Sequence, residues 1–394
     1  MKIENLNNCS GCSTCYSICS KSAITMKPNE EGFLYPYIDK SKCVECGLCD
    51  KTCPAINVFS KNSEEFPIAY AAINNNEEIR LQSSSGGIFT AIAETVINEG
   101  GVVFGAKFSE IFSVIHSWTD TIEGLADFRG SKYLQSVIGD SYKDCVEFLK
   151  KGRKVLFSGT PCQVQGLKRY LDSKNLKNVD ENLLTVDFIC HGVPSPLLWQ
   201  KYIEYREKKS ASRTVKTAFR RKNDGWKQFS LSFTFANDSE YIASLNKDPY
   251  MQMFLKDFTL RKSCYDCTCR GISRPSDITL ADFWGIQNIM PEMDDDKGTS
   301  FVIIHSEQGR GIFNTLLNCE LKIVNVIDTA KYNPAIENSP KYPKHRNYFY
   351  KDLMKKPFKK VINKYAITPI WIYLYRFIRR CIGKVKRMML RSVK

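Results

Sequence analysis

Two stretches of cysteine near the start of the chain decide how its first domain folds. They are Cys9-Ser-Gly-Cys12-Ser-Thr-Cys15-Tyr-Ser-Ile-Cys19 and Cys43-Val-Glu-Cys46-Gly-Leu-Cys49-Asp-Lys-Thr-Cys53-Pro54. Both have the spacing Cys-x2-Cys-x2-Cys-x3-Cys, so the opening segment is an internal repeat. Between the two halves, Gly32-Phe-Leu-Tyr-Pro36 predicts a short strand and a turn.

The doubled spacing predicts a bacterial-type ferredoxin domain with two [4Fe-4S] clusters. Three closely spaced thiolates can wrap one corner of an Fe4S4 cube, while the fourth cysteine lies on the next helical turn and points to the other cube. The expected ligands of one cluster are Cys9, Cys12, Cys15 and Cys53, and those of the other are Cys43, Cys46, Cys49 and Cys19. A pair of zinc knuckles is the alternative, although zinc sites rarely use three cysteines at successive x2 intervals twice over.

The cysteine content also indicates a reducing compartment. The chain has 16 cysteines, of which eight lie in the first 53 residues. A secreted disulfide scaffold is disfavoured because the start of the chain, Met1-Lys-Ile-Glu-Asn5, has no apolar signal segment and because the cysteines form tight C-x-x-C repeats. We therefore expect a cytoplasmic protein whose cysteines are reduced and bind metal.

The net charge of +15 belongs to one end of the chain. Residues 341–394 contain seventeen Lys and Arg residues and one acidic residue, Asp352, whereas the remaining residues have 40 basic and 41 acidic groups. The main body is therefore close to neutral, and no nucleic-acid partner is expected.

The basic end contains the apolar stretch Ile370-Trp-Ile-Tyr-Leu-Tyr375, which is flanked by Arg376, Arg379 and Arg380. A membrane-spanning helix needs about 20 apolar residues, so this stretch is too short to span. Trp and Tyr favour the headgroup layer and cations favour acidic lipid, so the tail predicts peripheral binding to an anionic membrane surface on the inner face. A partner-docking helix and a disordered tail are the alternatives.

From about Phe66, strand-like and helix-like segments alternate, which predicts an α/β domain with a mixed or mostly parallel sheet. The predicted strands are 68–73, 102–108, 154–157, 183–189, 277–282 and 301–304, and the predicted helices are 88–98, 163–171 and 196–206. The whole fold is thus expected to be an α+β ferredoxin-like domain at residues 1–62, an α/β domain at 66–340 and a basic tail at 341–394; that the α/β domain is a flavin domain is implied by the family resemblance given below.

A second group of cysteines lies in the predicted α/β domain. Cys162 follows the strand that ends at residue 157, and Cys190 follows the strand that ends at residue 189. Ligands of α/β sheets bind at the carboxyl ends of strands, so these two thiols could converge. Cys264-Tyr-Asp-Cys267-Thr-Cys269 is a third source of thiols. The alternative is that Cys162 and Cys190 are small buried apolar residues.

The segment Ser83-Ser-Ser-Gly-Gly87 suits a phosphate group. Its glycines let the backbone approach closely, and the helix that follows offers free N–H groups at its start. Arg129 and Lys132 could pair with a pyrophosphate or polarise a flavin ring. A plain helix cap and two solvated loop charges would have the same sequence.

These residues also carry a family resemblance. From Phe66 to about His305, the chain resembles the beta subunit of coenzyme F-420-reducing hydrogenases and dehydrogenases. The matching strings are Ser83-Ser-Ser-Gly-Gly-Ile-Phe-Thr90, Arg129-Gly-Ser-Lys-Tyr133, Phe157-Ser-Gly-Thr-Pro-Cys-Gln163, Cys190-His-Gly-Val-Pro-Ser-Pro196, Ser263-Cys-Tyr-Asp-Cys267 and Ser276-Asp-Ile-Thr-Leu-Ala-Asp-Phe-Trp-Gly285. The resemblance implies an FAD-binding domain that holds a [4Fe-4S] cluster beside the flavin. The fused N-terminal clusters resemble the electron-input subunits of that family.

The expected ligands of this third cluster are Cys162, Cys190, Cys264 and Cys267, with Cys269 as the rival for one place. The residues expected to bind FAD are Ser84, Ser85, Gly86, Gly87, Arg129 and Lys132, and the expected catalytic residues are Lys132 and His191. Cys145, Cys319 and Cys381 are expected to be ordinary thiols.

The expected function is that of a flavin-dependent iron–sulfur oxidoreductase. Electrons would pass between a ferredoxin-type donor and FAD through the clusters, and FAD would exchange a hydride with an organic substrate or a deazaflavin coenzyme. The partner would be a ferredoxin or a subunit of a hydrogenase or dehydrogenase. Two other classes stay open, namely a non-catalytic electron-relay subunit and a membrane-surface assembly factor of a polysaccharide pathway.

Overall fold

The computed structural model describes residues 1–58, 67–174, 176 and 179–367. The strands are β1 (Ile24–Pro28), β2 (Leu34–Ile38), β3 (Ile68–Asn74), β4 (Val102–Phe108), β5 (Val114–Thr119), β6 (Val155–Gly159), β7 (Leu183–Phe188), β8 (Thr214–Arg221), β9 (Ser230–Phe235), β10 (Glu240–Ser244), β11 (Ile278–Asp282), β12 (Ser300–Ile304) and β13 (Cys319–Val324). The helices are α1 (Thr14–Ile18), α2 (Leu48–Thr52), α3 (Glu77–Gln82), α4 (Ile88–Asn98), α5 (Ser141–Lys150), α6 (Pro161–Asp172), α7 (Val179–Asn182), α8 (Pro196–Ser210), α9 (Pro249–Leu255), α10 (Ile286–Ile289), α11 (Glu307–Asn314), α12 (Val326–Ala330), α13 (Arg346–Lys355) and α14 (Phe358–Val361).

The two cysteine repeats have the same local backbone. In each, a short helix follows the second cysteine of the repeat, and its N-cap residue has a left-handed conformation, with φ of 65° at Ser13 and 72° at Gly47. An antiparallel hairpin of β1 and β2 connects the repeats. This symmetry is the structural counterpart of the duplicated sequence.

The central sheet has eight strands in the order β13-β3-β12-β11-β7-β6-β4-β5. The four strands β4, β6, β7 and β11 run parallel to one another. Antiparallel strands flank them on both sides, with β5 at one edge and β12, β3 and β13 at the other. The prediction of an α/β fold with a large mixed sheet is confirmed.

A second sheet was not predicted from the sequence. Strands β10, β9 and β8 form an antiparallel sheet of three strands in that order. Its inward-facing residues Phe219 and Phe233 pack on Trp199 of helix α8, and Phe219 also contacts Tyr250 of helix α9. This sheet therefore covers one side of the molecule with an aromatic core of its own.

The ferredoxin segment and the α/β sheet share one hydrophobic core. Ile18 and Ile24 of the first segment lie in the same buried cluster as Val164 and Leu167 of helix α6. Helix α1 approaches α6 at Gly166, where a Cβ atom would lie 2.6 Å from Thr14 Oγ1 and 3.0 Å from the Cβ of Cys12. A larger residue at this position would separate the two segments, so the boundary near residue 62 does not mark two independent cores.

The described residues that follow the expected boundary at 341 pack against the rest of the protein. Residues from there to 367 do not form a separate tail, because Phe349, Leu353 and Tyr365 are buried in the core that contains the second sheet. The fully buried Arg346 pairs with Glu31 of the ferredoxin segment through two bonds of 2.7 and 2.6 Å. The apolar stretch at 370–375 and its flanking cations lie outside the described residues. Within the described part of the chain, no helix is both long and apolar enough to cross a membrane.

We predict that Glu31→Gln strongly destabilises the fold. The substitution leaves the charge of Arg346 buried without its carboxylate, and breaking a buried pair in this way costs about 3–5 kcal/mol. The measurement is the free energy of unfolding in denaturant. The matched control is Glu30→Gln, which removes the same charge from the exposed neighbouring residue. Equal stabilities of the two variants would contradict the prediction.

Candidate functional site

A cavity of about 760 Å³ lies at the carboxyl ends of the parallel strands. Its walls include the last residues of β6, β7 and β11, together with the loops at 83–87 and 129–136. This volume lies within the usual range for small-molecule and cofactor sites. The position agrees with the general rule that ligands of α/β sheets bind beyond the carboxyl ends of the strands.

Five thiols line one side of this cavity, namely Cys162, Cys190, Cys264, Cys267 and Cys269. Cys162 stands in the first turn of α6 and Cys190 follows β7. Burial, followed by the neighbouring thiols of Cys264 and Cys267, raises the pKa of Cys190 to about 12. Burial is the main cause of the raised pKa of Cys162, and the thiols of Cys267 and Cys190 add to it. A hydrogen bond with Thr160 opposes this shift. The structure thus brings together thiols from three separate parts of the chain.

Cys267 and Cys269 lie against each other at the end of this group. A hydrogen bond from Cys269, acting against burial, lowers the pKa of Cys267 to about 6. The thiol of Cys269 also donates to Oε1 of Gln165 at 3.3 Å. Both residues therefore contact the group, and the rivalry between them for a ligand place stays open.

Four N-terminal thiols lie together at the first repeat. Burial and the neighbouring thiols of Cys12, Cys9 and Cys53 raise the pKa of Cys15, so Cys53 lies with the three cysteines of the first repeat. We call Cys9, Cys12, Cys15 and Cys53 the inner group. Cys12 also contributes to the raised pKa of Cys162, so the inner group faces the cavity thiols.

The remaining N-terminal thiols, Cys43, Cys46, Cys49 and Cys19, are called the outer group. Cys46 is exposed, and Cys49 is buried beside it. The Sγ of Cys19 accepts a hydrogen bond from the N–H of Ala23 at 3.3 Å. In the part of the chain that the structure describes, no three His, Cys, Asp or Glu side chains are arranged to hold a single metal ion.

The Ser83–Gly87 loop forms another wall of the cavity. Its hydroxyl groups have partners, since Ser84 Oγ lies 2.7 Å from Ser131 Oγ and Ser85 Oγ donates to the carbonyl of Thr299 at 2.7 Å. Gly87 is the N-cap of α4 with φ of 83°, and no side chain caps this helix. Gly86 differs from the other expected binding residues: it does not line the cavity, and a Cβ there would collide with the carbonyl of Ala72.

Lys132 is half-buried, and its ammonium contacts the loop that carries it. Its Nζ donates to the carbonyls of Arg129 and Gly130 at 3.0 and 3.3 Å. Burial lowers the pKa of Lys132 to about 7, and Asp127 opposes this shift. The nearby Arg129 donates to Thr90 Oγ1 at 3.2 Å and also lines the cavity.

Two polar residues of the cavity wall were missed in the sequence. His116 of β5 donates from Nε2 to the carbonyl of Ser158 at 3.0 Å, while its buried Nδ1 has no partner among the described residues. Arg220 of β8 pairs with Asp282, while its Nε and Nη2 have no partner there either. Both residues lie on strands that were not predicted, and their chemistry is visible only once these strands are placed beside the cavity.

His191 follows Cys190 and also lines the cavity. Its Nε2 lies 2.6 Å from Oδ1 of Asp257, a residue with a left-handed φ of 62°. The hydroxyl of Tyr265 donates to the carbonyl of Asp257 and holds this residue in place. The imidazole is therefore oriented by a carboxylate, an arrangement that supports proton transfer.

Comparison with known proteins adds two family matches. Residues 152–328 match the C-terminal part of the family described as coenzyme F420 hydrogenase/dehydrogenase, beta subunit, and residues 8–57 match the 4Fe-4S dicluster domain. Among solved structures, the chain is similar to the xenon-derivatized F420-reducing [NiFe] hydrogenase complex from Methanosarcina barkeri, with 19% identity and a TM-score of 0.48 over 75% of this chain and 91% of that chain. The search of curated proteins found no match. The family resemblance drawn from the sequence motifs is confirmed.

We predict that Lys132→Met stabilises the protein freed of anionic ligands, and that this gain depends on pH. The folded-state pKa of Lys132 is about 7 and its ordinary value is 10.5, so below pH 7 the folded state carries the whole cost of burying the charge. As pH rises towards 10, the folded state releases the proton and the cost disappears. The gain in unfolding free energy should therefore be largest near pH 6 and fall steadily above pH 7.

The measurement is denaturant unfolding of both proteins across this pH range. Lys40→Met, at an exposed lysine, is the control and should show little change at any pH. A gain that grows as the pH rises would contradict the assignment of a buried, destabilised charge.

Proposed function

We propose that the chain is an iron–sulfur flavoprotein oxidoreductase, because residues 8–57 match the 4Fe-4S dicluster domain and residues 152–328 match the C-terminal part of the coenzyme F420 hydrogenase/dehydrogenase beta subunit family. The family matches support a role in electron transfer of the oxidoreductase type. The finer proposal is that electrons pass between a ferredoxin-type protein and an organic acceptor, in either direction, by way of three [4Fe-4S] clusters and FAD.

The proposal rests on one observation, namely that helix α6 connects the inner group of thiols to the thiols of the cavity. The inner group contacts α6 through Cys12, and the first turn of the same helix bears Cys162 in the cavity wall. Iron–sulfur sites that contact the same helix are suited to electron transfer, and the protein tunes them by burial and hydrogen bonds to sulfur. We infer that Cys162, Cys190 and Cys264, with Cys267 or Cys269, hold the third cluster.

The outer group is the point at which a partner protein can exchange electrons. Cys46 is exposed, and Val44 beside it has 60% of its surface exposed, although it is apolar. A small redox protein docking here would come close to the outer cluster without entering the cavity. This supports a soluble electron donor or acceptor as the partner.

The cavity residues fit FAD in charge and polarity. The uncapped start of α4 and the side chains of Arg129 and Lys132 would meet a pyrophosphate, and the unpartnered Nδ1 of His116 and N–H groups of Arg220 would meet polar atoms of the ligand. Bound flavin supplies the step between single electrons and hydride chemistry. An anion bound beside Lys132 would raise the pKa of this side chain again and keep it protonated.

His191 and Lys132 are proposed to handle protons in this site. His191 is held by Asp257 and can give a proton to a substrate or take one from it, since its other ring nitrogen stays available. Lys132, with a pKa of about 7, can be either charged or neutral near neutral pH, as a group that stabilises a changing negative charge requires.

The test is the cofactor content of the full chain after anaerobic reconstitution. We expect about twelve iron per chain and one FAD, and bleaching of the flavin when a reduced ferredoxin is added. In the Cys162→Ser, Cys190→Ser double variant we expect about eight iron and slow flavin reduction. Cys319→Ser, which changes a thiol outside all three groups, is the control and should keep about twelve iron.

Unchanged iron in the double variant would show that the cavity thiols are packing residues. A chain that binds about twelve iron but no flavin would instead be an electron-relay subunit.

A further inference from the structure

Arg261 is a buried cation without a buried anion. It is fully buried, as is Arg346, and both lie next to the ferredoxin segment. Arg346 has a carboxylate partner in Glu31, and the buried Arg80 and Arg220 pair with Asp295 and Asp282. Arg261 forms no ion pair with any carboxylate of the described residues. A buried charge in that position is costly unless something else neutralises it.

The guanidinium of Arg261 is instead directed at the inner group. Nε donates to the carbonyl of Cys9 at 2.6 Å, and Nη2 lies 3.6 Å from Cys9 Sγ. Nη1 donates to Gln135 Oε1 at 2.9 Å, and Nη2 also donates to the carbonyl of Leu34 at 2.8 Å. The ring of Tyr35 lies 4.2 Å from the guanidinium carbon. These contacts are all neutral except the sulfur of Cys9, which is a thiolate when it binds iron.

The loop around Arg261 is built for this contact. Gly11 lies between two cysteines of the inner group with φ of 71°, and a Cβ there would lie 2.8 Å from Nη1 of Arg261. Glycine therefore lets the cysteine loop close over the guanidinium. On its other side, the carbonyl of Arg261 accepts a hydrogen bond from the N–H of Cys264 at 2.9 Å. The same residue thus joins the inner group to the loop of the cavity thiols.

The outer group has the opposite electrostatic environment. Asp50 follows Cys49 directly, and its carboxylate accepts hydrogen bonds from the backbone N–H groups of Lys2 and Ile3 at 3.0 and 3.1 Å. Within the described residues, no buried arginine contacts Cys43, Cys46, Cys49 or Cys19. The lysines near this group, such as Lys42 and Lys51, are exposed, and solvent screens their charges.

We propose that Arg261 is the counter-ion of the inner cluster and that it raises the reduction potential of this cluster above that of the outer one. The inference rests on the proposed function, because it requires both N-terminal clusters. A cluster gains one negative charge when it accepts one electron, so a fixed cation beside its sulfur stabilises the reduced form, and a carboxylate destabilises it. A reduced ferredoxin-type protein would give one electron to the outer cluster. This electron would then move to the inner cluster, which faces Cys162, and the outer cluster would be oxidised again.

The experiment is a redox titration of the reconstituted full chain, followed by the EPR signals of the clusters. In the wild type, we expect the two ferredoxin-type clusters to titrate separately. Arg261→Gln should lower the reduction potential of the inner cluster, because it removes a charge in contact with sulfur. The ratio of reduced inner cluster to reduced outer cluster should then fall by at least about tenfold. Lys51→Gln removes an exposed cation from the same segment and should shift neither potential.

Two further variants complete the test. Arg261→Lys keeps the charge and should restore most of the distribution, and Asp50→Asn keeps the inference testable if the neutral Arg261 variant loses iron. Asp50→Asn should raise the potential of the cluster that Arg261→Gln leaves unchanged. A full complement of iron with unchanged potentials in Arg261→Gln would overturn this inference alone. A wild-type chain without two N-terminal clusters would overturn the proposed function and this inference with it.

Discussion

The close approach of helices α1 and α6 is the contact on which the arrangement of the site depends. It is possible because position 166 has no side chain, so that Thr14 and Cys12 can lie directly against the helix. Helix α6 begins with the turn that carries Cys162, and it begins there because Thr160 and Gln163 form a capping box at the end of β6. Helix α6 therefore connects the cysteine repeats to the edge of the sheet where the cavity opens.

Much of this site was predictable, because its parts lie at the ends of regular elements. The apolar run at Val102–Phe108 and the periodic segment at Ile88–Asn98 have the bounds expected from the sequence. Once the strands are parallel neighbours, residues that follow successive strands must share one edge. This is why Cys162 and Cys190, which lie far apart in the chain, line the same cavity.

Other features depend on contacts that local sequence does not encode. Strands β8 to β10 form a separate sheet that was not predicted, so Arg220 could not be placed at the cavity. The role of Arg261 rests on a contact with a residue 252 positions away. The many charges after residue 341 obscured the apolar residues among them, such as Phe349 and Leu353, which are buried in the core. Composition describes the surface of that segment and not its packing.

The pairing of Glu31 with Arg346 has a consequence for how the protein is made. These residues are 315 positions apart, so the ferredoxin segment leaves the ribosome long before the helix that completes its surroundings. Contacts between such distant residues form late, because the intervening chain must first be synthesised and closed into a loop. During translation, the thiols of the ferredoxin segment therefore emerge before their final packing can form. They need a reducing environment until the helix with Arg346 has been synthesised and has folded.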